Sequence, residues 1–407
     1  MTRMESAPRP RVIIVGAGVA GSVVASRLAE RCEVVVLEIG RDTAASHDPT
    51  LAMNNAVDFD ESLYPRGHGL GGGSRVNGLV LAHAPDSYWR SLVGLGLDVF
   101  ADAPREQEMF TGEPSLGDGV VDRALLAAHP DARPTVLSTR GGVRLTTWDR
   151  LSPSPVTVRT ATSVTRLRMS GDRAVAVLTS AGDELVADHV VLCAGAIGSA
   201  VIAARSGCIE NETQLLDHPA YFVPLDGEDL GSSGTTGTTY AGAALYEEDV
   251  LTMSINGGVA GSPGLLVGLM TPRSSGRLIV DQHSVTIDRG LLADKDDLRV
   301  MTAGMWRAAR LLAQQSFSRL SSTIDTVLED DTWVPLVGNG MWHASGTMPM
   351  GVGSSAPVDQ SGKLRGTSNV WCMDAAVAPS IAPVPPQATV MVTASLLSRR
   401  FLSLVTS

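Results

Sequence analysis

The chain has 407 residues, a length that favours two domains over one compact core. Its net charge of -11 and the lack of a basic run argue against a nucleic-acid partner. Four scattered cysteines without CxxC spacing argue against a metal site and against disulfides, and they indicate reduced thiols in a cytoplasmic protein.

The N-terminus carries early arginines and then an uncharged stretch, residues 12–26. A signal peptide can have this composition, so secretion is an open alternative. The stretch is nevertheless too short to span a bilayer, and it holds three regularly spaced glycines. We therefore expect a cytoplasmic location and no membrane span.

The same stretch predicts a strand, a turn, a helix and a second strand. Residues 12–15 and 33–37 are short apolar runs rich in β-branched residues, which are typical of buried parallel strands. Residues 22–30 have the periodicity of a helix that packs on them. The turn before the helix carries a G-x-G-x-x-G motif, made of Gly16, Gly18 and Gly21.

This motif predicts a dinucleotide site, because each glycine has a physical role there. Gly16 permits the tight turn, Gly18 lets a pyrophosphate approach the backbone, and Gly21 lets the helix pack on the strand. The helix N-terminus offers free N–H groups to phosphates. Glu38, which follows the second strand, can accept hydrogen bonds from a ribose. The motif alone does not separate NAD from FAD, and a glycine-rich turn of another α/β fold is the alternative.

A second glycine-rich segment, GHGLGGGSRVNG at residues 67–78, holds six glycines in twelve positions. Ordinary helices and strands do not tolerate so many glycines, so this backbone is expected to lie close to something else. FAD is longer than a nicotinamide cofactor and can need a second line of contact. The segment therefore favours FAD, with Asn77 as a polar contact, and a flexible loop is the alternative.

The middle of the chain continues the α/β pattern. Residues 91–155 give weak signals, with a turn and a helix start in GGVRLTTWDRL. Alternating apolar residues predict four strands, and AGAIGSAVIAARSGC predicts a turn and a helix directly after the last of them. The predicted strands are residues 156–158, 164–169, 174–179 and 190–193.

The following part of the chain has a different character. A Gly/Thr/Ser-rich segment at residues 226–246 is either a substrate lid or a hairpin region without chemistry. Strand-like runs at residues 265–270 and 277–280 predict an antiparallel sheet, and residues 296–314 predict an amphipathic helix. The C-terminus then predicts a buried strand that ends at Asp374, a proline-stiffened loop, and a helix over residues 389–402.

Four stretches together resemble the glucose-methanol-choline (GMC) oxidoreductase family. They are GAGVAG with Glu38, GLGGGSRVNG, AGAIGSAVIAARSGC with LDHP, and the C-terminal segment from HASGTMPMG to PPQATVMV. They stand in the order of the family and span nearly the whole chain. More narrowly, LCAGAIGSA, LDHP and LMTPRSSGR resemble the subfamily encoded with mycofactocin, a peptide-derived redox cofactor.

The resemblance implies an α/β fold with a Rossmann-type FAD-binding domain of discontinuous segments, residues 1–85, 156–215 and 341–407. It implies a reduced substrate domain with an antiparallel sheet, residues 86–155 and 216–340. It implies that Val164 lies near the adenine and that Asp374 and Ala375 lie at the phosphates and the ribityl chain. It further implies FAD contacts from Gly16, Gly18, Gly21, Glu38, Gly71, Gly72, Gly73, Ser74 and Asn77.

The resemblance also implies a small-molecule substrate and its chemistry, which is oxidation of an alcohol CH–OH group by hydride transfer to flavin N5. His343 matches the catalytic histidine of the family and is the expected base, a role that suits a neutral imidazole. Gln387 falls where the family carries His or Asn. His218 stands in an Asp-His-Pro turn and is expected to be structural.

Three departures from the family pattern bear on these expectations. The chain is short for the family, so a reduced substrate domain is expected. Val76 stands where members with covalently attached flavin carry His, so FAD is expected to bind non-covalently. Gln387 can donate and accept hydrogen bonds but cannot act as an acid or a base.

Two alternatives stay open at this point. One is a GMC-type flavoprotein with other chemistry: non-oxidative, light-driven or cofactor-reoxidising. The other is a nicotinamide dehydrogenase, which would leave the second glycine-rich segment and Asp374 without a role. Oxygen, a quinone and a peptide-derived cofactor are the candidate electron acceptors.

Overall fold

The structure is a computed structural model that describes residues 9–49, 64–225, 237–257, 263–317 and 340–406. The α-helices are α1 (Val19–Leu28), α2 (Asp86–Gly94), α3 (Ala103–Gln107), α4 (Val120–Ala128), α5 (Thr147–Leu151), α6 (Gly195–Arg205), α7 (Lys295–Leu312) and α8 (Gln387–Val405). Short 3-10 turns lie at Gly72–Arg75, Asp98–Phe100, Gln315–Phe317 and Ala375–Val377.

The strands, in chain order, are β1 (Arg11–Val15), β2 (Glu33–Leu37), β3 (Glu113–Pro114), β4 (Arg133–Pro134), β5 (Val136–Leu137), β6 (Thr139–Arg140), β7 (Val143–Arg144), β8 (Thr157–Arg159), β9 (Val164–Ser170), β10 (Arg173–Thr179), β11 (Glu184–Leu185), β12 (His189–Leu192), β13 (Glu212–Leu215), β14 (Ala220–Pro224), β15 (Ala243–Glu247), β16 (Val250–Ile255), β17 (Gly264–Leu269), β18 (Gly276–Val280), β19 (Val285–Asp288) and β20 (Val370–Cys372).

A parallel sheet in the order β20-β12-β1-β2-β8 forms the centre of the fold. Its inner strands are apolar runs that are buried on both faces, as expected for a parallel sheet covered by helices. Ile13 of β1 pairs with Val190 on one side and with Val35 on the other. The carboxyl ends of parallel strands meet at one edge, so Gly16, Glu38 and the chain after β12 and β20 lie together there.

The strands of this sheet all come from the three segments that the resemblance assigns to FAD binding. An antiparallel sheet in the order β14-β17-β16-β15-β4 comes from the segments assigned to the substrate domain. Helix α7 packs on it through Met301 and Met305, which are buried with Leu265 and Val267 of β17. The domain boundaries themselves stay predictions.

A smaller antiparallel sheet, in the order β13-β18-β19, leads the chain to the candidate site. Strand β18 is antiparallel to both neighbours, so β13 and β19 run in the same direction. The residues that follow these two strands, 216–218 and 289, therefore emerge at the same edge.

Three expectations need correction or comment. Helix α1 begins at Val19 rather than Ser22, because the helix starts directly after Gly18 of the glycine motif. Helix α8 begins at Gln387, two residues earlier than predicted, with Pro386 as its N-cap. Of the Gly/Thr/Ser-rich segment, residues 226–236 lie outside the described residues, and its C-terminal part enters β15.

Helix α8 is long and apolar enough, by length and composition alone, to be a candidate membrane span. Of an apolar 18-residue stretch of this helix, 61% is buried inside the fold, as expected for a core helix. A membrane span is therefore not supported among the described residues. Within the same residues no cluster of metal-ligating side chains occurs, and the four cysteines are free.

Candidate active site and cofactor-binding site

The first glycine motif forms a tight turn between β1 and α1. Gly16 has a φ of 99°, and a Cβ there would lie 2.5 Å from the carbonyl oxygen of Cys193, so only glycine fits. Gly21 lies against the Gly16 carbonyl. Gly18 is the N-cap of α1, and no side chain caps this end. The first N–H groups of α1 are thus left without a side-chain acceptor, which suits a phosphate.

The second glycine-rich segment packs directly on the first. The Gly71 N–H donates to the carbonyl of Ala17 at 2.8 Å. Gly72 has a φ of 49°, and a Cβ on it would lie 2.7 Å from the Cα of Gly18. A Cβ on Gly73 would meet nothing within 4 Å. The two segments therefore form one cradle of backbone, with open space beside Gly73, and this fits a long cofactor with a pyrophosphate.

Glu38 joins the loops around this cradle. Its Oε2 accepts the N–H of Ala17 at 2.7 Å, and its Oε1 accepts the N–H groups of Gly40 at 2.8 Å and Gly69 at 2.9 Å. The side chain is 4% exposed. Because a carboxylate has about four acceptor sites, Glu38 retains capacity for a ribose hydroxyl. The ribose contact stays a prediction.

Asp374 follows β20 at the same edge and ties two turns together. Its Oδ2 accepts from Ser199 Oγ at 2.6 Å and from the N–H of Gly195 at 2.8 Å, and its Oδ1 accepts the N–H of Ala376 at 2.8 Å. Burial raises the pKa of this carboxyl, while these hydrogen bonds oppose the shift. Asp374 thus fixes the chain at Ala375.

A small cavity beside Asp374 and Ala375 holds two buried hydroxyls, those of Ser345 and Thr389. Neither hydroxyl has a hydrogen-bond partner among the residues that the structure describes. Buried polar atoms are normally paired, so these two hydroxyls are available to hydrogen-bond a polar group in the cavity. The sequence did not predict either residue.

The structure joins two residues that the sequence assigned to different roles. Asn77 Nδ2 donates to Gln387 Oε1 at 2.6 Å. Two groups that can only donate orient the Asn77 amide. The N–H of Leu79 donates to Asn77 Oδ1 at 3.2 Å, and Arg144 Nη1 donates to the same oxygen at 3.3 Å. Gln387 therefore turns its oxygen to Asn77 and keeps its NH2 for other partners, one of which is Ser138 Oγ at 3.4 Å.

Ser74 and Arg144 hold the second glycine-rich segment in place. Ser74 Oγ accepts the N–H of Thr147 at 2.9 Å, and Arg144 Nη1 donates to the carbonyls of Ser74 and Asn77. Arg144 is 1% exposed, and burial lowers its pKa to about 10. This leaves the guanidinium protonated at neutral pH, so it stays a donor.

Val76 is buried, and Val164 packs on the hydrophobic core. Val76 is 5% exposed and carries no nucleophilic atom. Val164 begins β9, is half-buried and pairs with Thr179. Its predicted place near the adenine stays a prediction.

His343 and His218 form a hydrogen-bonded pair, with 2.9 Å between their Nδ1 atoms. Nε2 of His218 lies 3.1 Å from the carbonyl oxygen of Met270 and 3.0 Å from that of Ala382. Carbonyl oxygens only accept, so Nε2 of His218 carries a proton, and the neutral ring presents a lone pair on Nδ1. His343 then donates from Nδ1, which leaves the lone pair of its Nε2 available.

The environment keeps both rings neutral at pH 7. Burial lowers the pKa of His218 to about 4, against the opposing charge of Asp217. Burial, with His218 as a second cause, holds the pKa of His343 well below its usual 6.5. His343 is thus an unprotonated, half-buried imidazole with its lone pair on a defined nitrogen.

Asp217 anchors the backbone on both sides of this pair. Its Oδ1 accepts the N–H of His218 and the N–H of His343, each at 2.8 Å. Leu216 and Ser345 exchange two backbone hydrogen bonds at 2.9 Å, which align the two segments. The motif LDHP and the motif around His343 therefore form one structural unit, although 125 residues separate the two histidines.

Comparison with known proteins identifies the class of the molecule. The family model described as GMC oxidoreductase matches residues 272–394, and a NAD(P)-binding Rossmann-like domain model matches residues 14–60. The 5-(hydroxymethyl)furfural oxidase of Methylovorus sp. is 25% identical over an alignment of 500 positions, gaps included. The alignment covers 91% of this chain and 94% of the relative. An uncharacterised GMC-type oxidoreductase of Mycobacterium bovis is 26% identical over 503 residues, 90% of this chain and 94% of the relative.

Solved structures show the same fold. The pyridoxine 4-oxidase from Mesorbium loti superposes with a TM-score of 0.82 at 18% identity, over 97% of this chain and 99% of that chain. A variant of the Aspergillus oryzae formate oxidase, studied for FAD modification, has a TM-score of 0.82 at 16% identity, over 98% and 99% of the two chains.

The fold, the glycine cradle and these matches define an FAD-dependent oxidoreductase. Residues 272–394 match the GMC oxidoreductase family model, and this match together with the structural neighbours supports FAD as the cofactor. The alignment with the furfural oxidase spans 500 positions, more than the 407 residues of this chain, so that relative carries segments that this chain lacks. The narrower resemblance to the mycofactocin-associated subfamily stays a prediction.

Proposed function

We propose that the protein oxidises an alcohol to a carbonyl compound, with His343 as the base. The observation that carries the proposal is the chain of hydrogen bonds from the Met270 and Ala382 carbonyls through His218 to His343. It fixes the tautomer that a base needs, with the lone pair on Nε2. The depressed pKa keeps that nitrogen unprotonated at neutral pH.

When FAD is bound, it supplies the acceptor for the hydride that leaves the alcohol carbon. His343 Nε2 takes the hydroxyl proton. The imidazolium that results keeps its Nδ1–H on His218. A base positioned in this way contributes roughly 100-fold to 10,000-fold.

Gln387 has a different role in the proposal. It cannot accept the proton, and its oxygen is engaged by Asn77, so it offers an N–H. A fixed N–H donor near the reacting carbon stabilises the oxygen as charge develops on it. We assign Gln387 to hold the substrate oxygen while His343 takes the proton.

The FAD contacts follow from the fit of the cradle. We assign the pyrophosphate to the backbone of Gly18, Gly72 and Gly73 at the start of α1, and the adenosine ribose to Glu38. We assign the orphaned hydroxyls of Ser345 and Thr389 to polar groups of the cofactor beside Ala375. Val76 offers no atom for a covalent bond to flavin, so attachment is non-covalent.

The names of the similar proteins suggest which alcohols to try first. They are 5-(hydroxymethyl)furfural and pyridoxine, since one relative and one structural neighbour are named as oxidases of these compounds. The electron acceptor is open between oxygen, a quinone and a peptide-derived cofactor. Cytoplasmic location stays a prediction.

The test is anaerobic mixing of FAD-loaded protein with these two compounds and a series of simple primary and secondary alcohols. We expect loss of the yellow flavin absorbance, formation of the aldehyde or ketone, and slower bleaching with the alcohol deuterated at the reacting carbon. A flavin that dithionite reduces but no alcohol bleaches would contradict the proposal. It would favour other chemistry on the GMC scaffold.

A further inference from the structure

Trp342, directly before His343, has a backbone conformation that a bulky residue seldom adopts. Its φ is 60°, in the left-handed region. Such a residue persists only where its surroundings over-determine it, and strained positions cluster at functional sites. The contacts of Trp342 therefore need to account for this conformation.

An arginine and a tyrosine hold the Trp342 ring. The guanidinium carbon of Arg289 lies 4.0 Å from the ring centroid, within the range of a cation–π contact. Tyr64 meets the ring edge-on, with 5.2 Å between centroids and an interplanar angle of 85°. The Tyr64 hydroxyl also accepts the N–H of Ala344 at 3.1 Å. The residues on both sides of His343 are thus held by this cluster.

The same arginine pairs with the carboxylate that anchors His343. Arg289 Nη2 and Nε lie 2.7 and 3.2 Å from Asp217 Oδ2, while Asp217 Oδ1 accepts the His343 N–H. The Asp217 side chain is 0% exposed and that of Arg289 is 15% exposed. Because a buried carboxylate needs a cation, Arg289 acts on His343 through two routes: the Trp342 ring and Asp217.

We propose that Arg289 is a positioning residue for the base: its planar guanidinium holds Trp342 in the left-handed region and so sets where the His343 ring stands. The proposal rests on the role of His343 proposed above. A lysine can still pair with Asp217, but it presents a point charge without a plane to stack on the ring. Charge and stacking can therefore be separated by substitution.

The variants are Arg289→Met, which removes both contacts, and Arg289→Lys, which keeps the charge. Arg277→Met on β18 is the control, because its ion pairs with Glu212 and Asp288 are exposed. FAD content and melting temperature identify folded, loaded protein. The limiting rate of anaerobic flavin reduction and the apparent Kd of the alcohol are then measured for each.

We expect Arg289→Met to lower the limiting rate about 10-fold to 100-fold, the scale for a misplaced catalytic group, while the apparent Kd changes less than about threefold. Arg289→Lys should fall between Arg289→Met and the wild type, and Arg277→Met should match the wild type. If Arg289→Met does not fold, Arg289→Lys alone carries the test. A wild-type limiting rate in either loaded Arg289 variant would overturn the proposal.

A crystal structure of Arg289→Lys separates this proposal from the proposed function. We expect φ of Trp342 to leave the left-handed region and the contact between His343 and His218 to lengthen. Both are visible whether or not alcohol is the substrate. An unchanged Trp342 and His343 would refute the positioning role, whereas a wild-type protein that no alcohol reduces refutes only the proposed function.

Discussion

The orientation of His343 by His218 can be tested with two substitutions of His218, each of which replaces one of the two ring nitrogens with an amide group. His218→Gln places an NH2 near the position of Nε2 and keeps a donor for the carbonyls of Met270 and Ala382. His218→Asn places an amide oxygen near the position of Nδ1 and keeps an acceptor for His343. The first variant removes the group that fixes the tautomer of the base, and the second retains it.

The magnitude follows from the contact that is lost. In His218→Gln the Nδ1–H of His343 loses its acceptor, and an unsatisfied donor in a half-buried site costs about 1–3 kcal/mol. The ring avoids that cost by moving its proton to Nε2, which disables the base. Flavin reduction should therefore slow by about 5-fold to 150-fold.

His218→Asn leaves the Met270 and Ala382 carbonyls without this donor, so it should lower the melting temperature more than His218→Gln does. It should nevertheless reduce flavin faster than His218→Gln. The assay is stopped-flow mixing with an alcohol without oxygen, on protein whose FAD content is equalised. A His218→Gln variant as fast as the wild type, or a His218→Asn variant slower than His218→Gln, would refute the reasoning.

Three further outcomes are expected. Because burial holds the pKa of His343 below 6.5, the rate of flavin reduction should be flat at neutral and mildly alkaline pH and fall only on the acid side of 6.5; a decline that begins above neutral pH would contradict this assignment. Acid precipitation should release the yellow colour into the supernatant, since Val76 cannot bond to flavin; colour retained on the pellet would show a covalent link elsewhere. Glu38→Ala should weaken FAD retention by about 1–3 kcal/mol, measured by dialysis or fluorescence titration, and unchanged affinity would remove Glu38 from the site.

The cofactor-binding core was predictable from the sequence because its signals are local. The apolar runs of β1 and β2 and the glycine motif between them stand within thirty residues, and each has a period or a spacing that only a few structures satisfy. For the second glycine-rich segment, composition alone predicted that its backbone lies close to another group. Its contact with Gly18 is the physical reason for that composition.

The active-site support was not predictable in the same way. Arg289 stands after β19 and Asp217 after β13, and nothing in either stretch indicates that the two strands end at one edge. That follows from the order β13-β18-β19, which tertiary packing sets. His218 was expected to be structural because it stands in an Asp-His-Pro turn, and its partner His343 is 125 residues away. The only indication in the sequence was the polar motif LDHP.

The order of the C-terminal motifs predicts Gln387 near the reactive end of the cofactor, and this stays a prediction. The structure adds the hydrogen bond to Asn77 and shows which end of the Gln387 amide faces that partner. Gln387→Asn should slow flavin reduction far less than loss of His343 does, since Asn retains an N–H donor, and Gln387→His can raise turnover.

The most direct test of the account is His343→Ala, measured as the limiting rate of anaerobic flavin reduction with a saturating alcohol. His283→Ala is the matched control, because His283 is exposed after β18. We expect His343→Ala to retain FAD and to reduce it roughly 100-fold or more slowly, the scale for losing a positioned base, while His283→Ala is unchanged. Flavin reduction at the wild-type rate in FAD-loaded His343→Ala would contradict it.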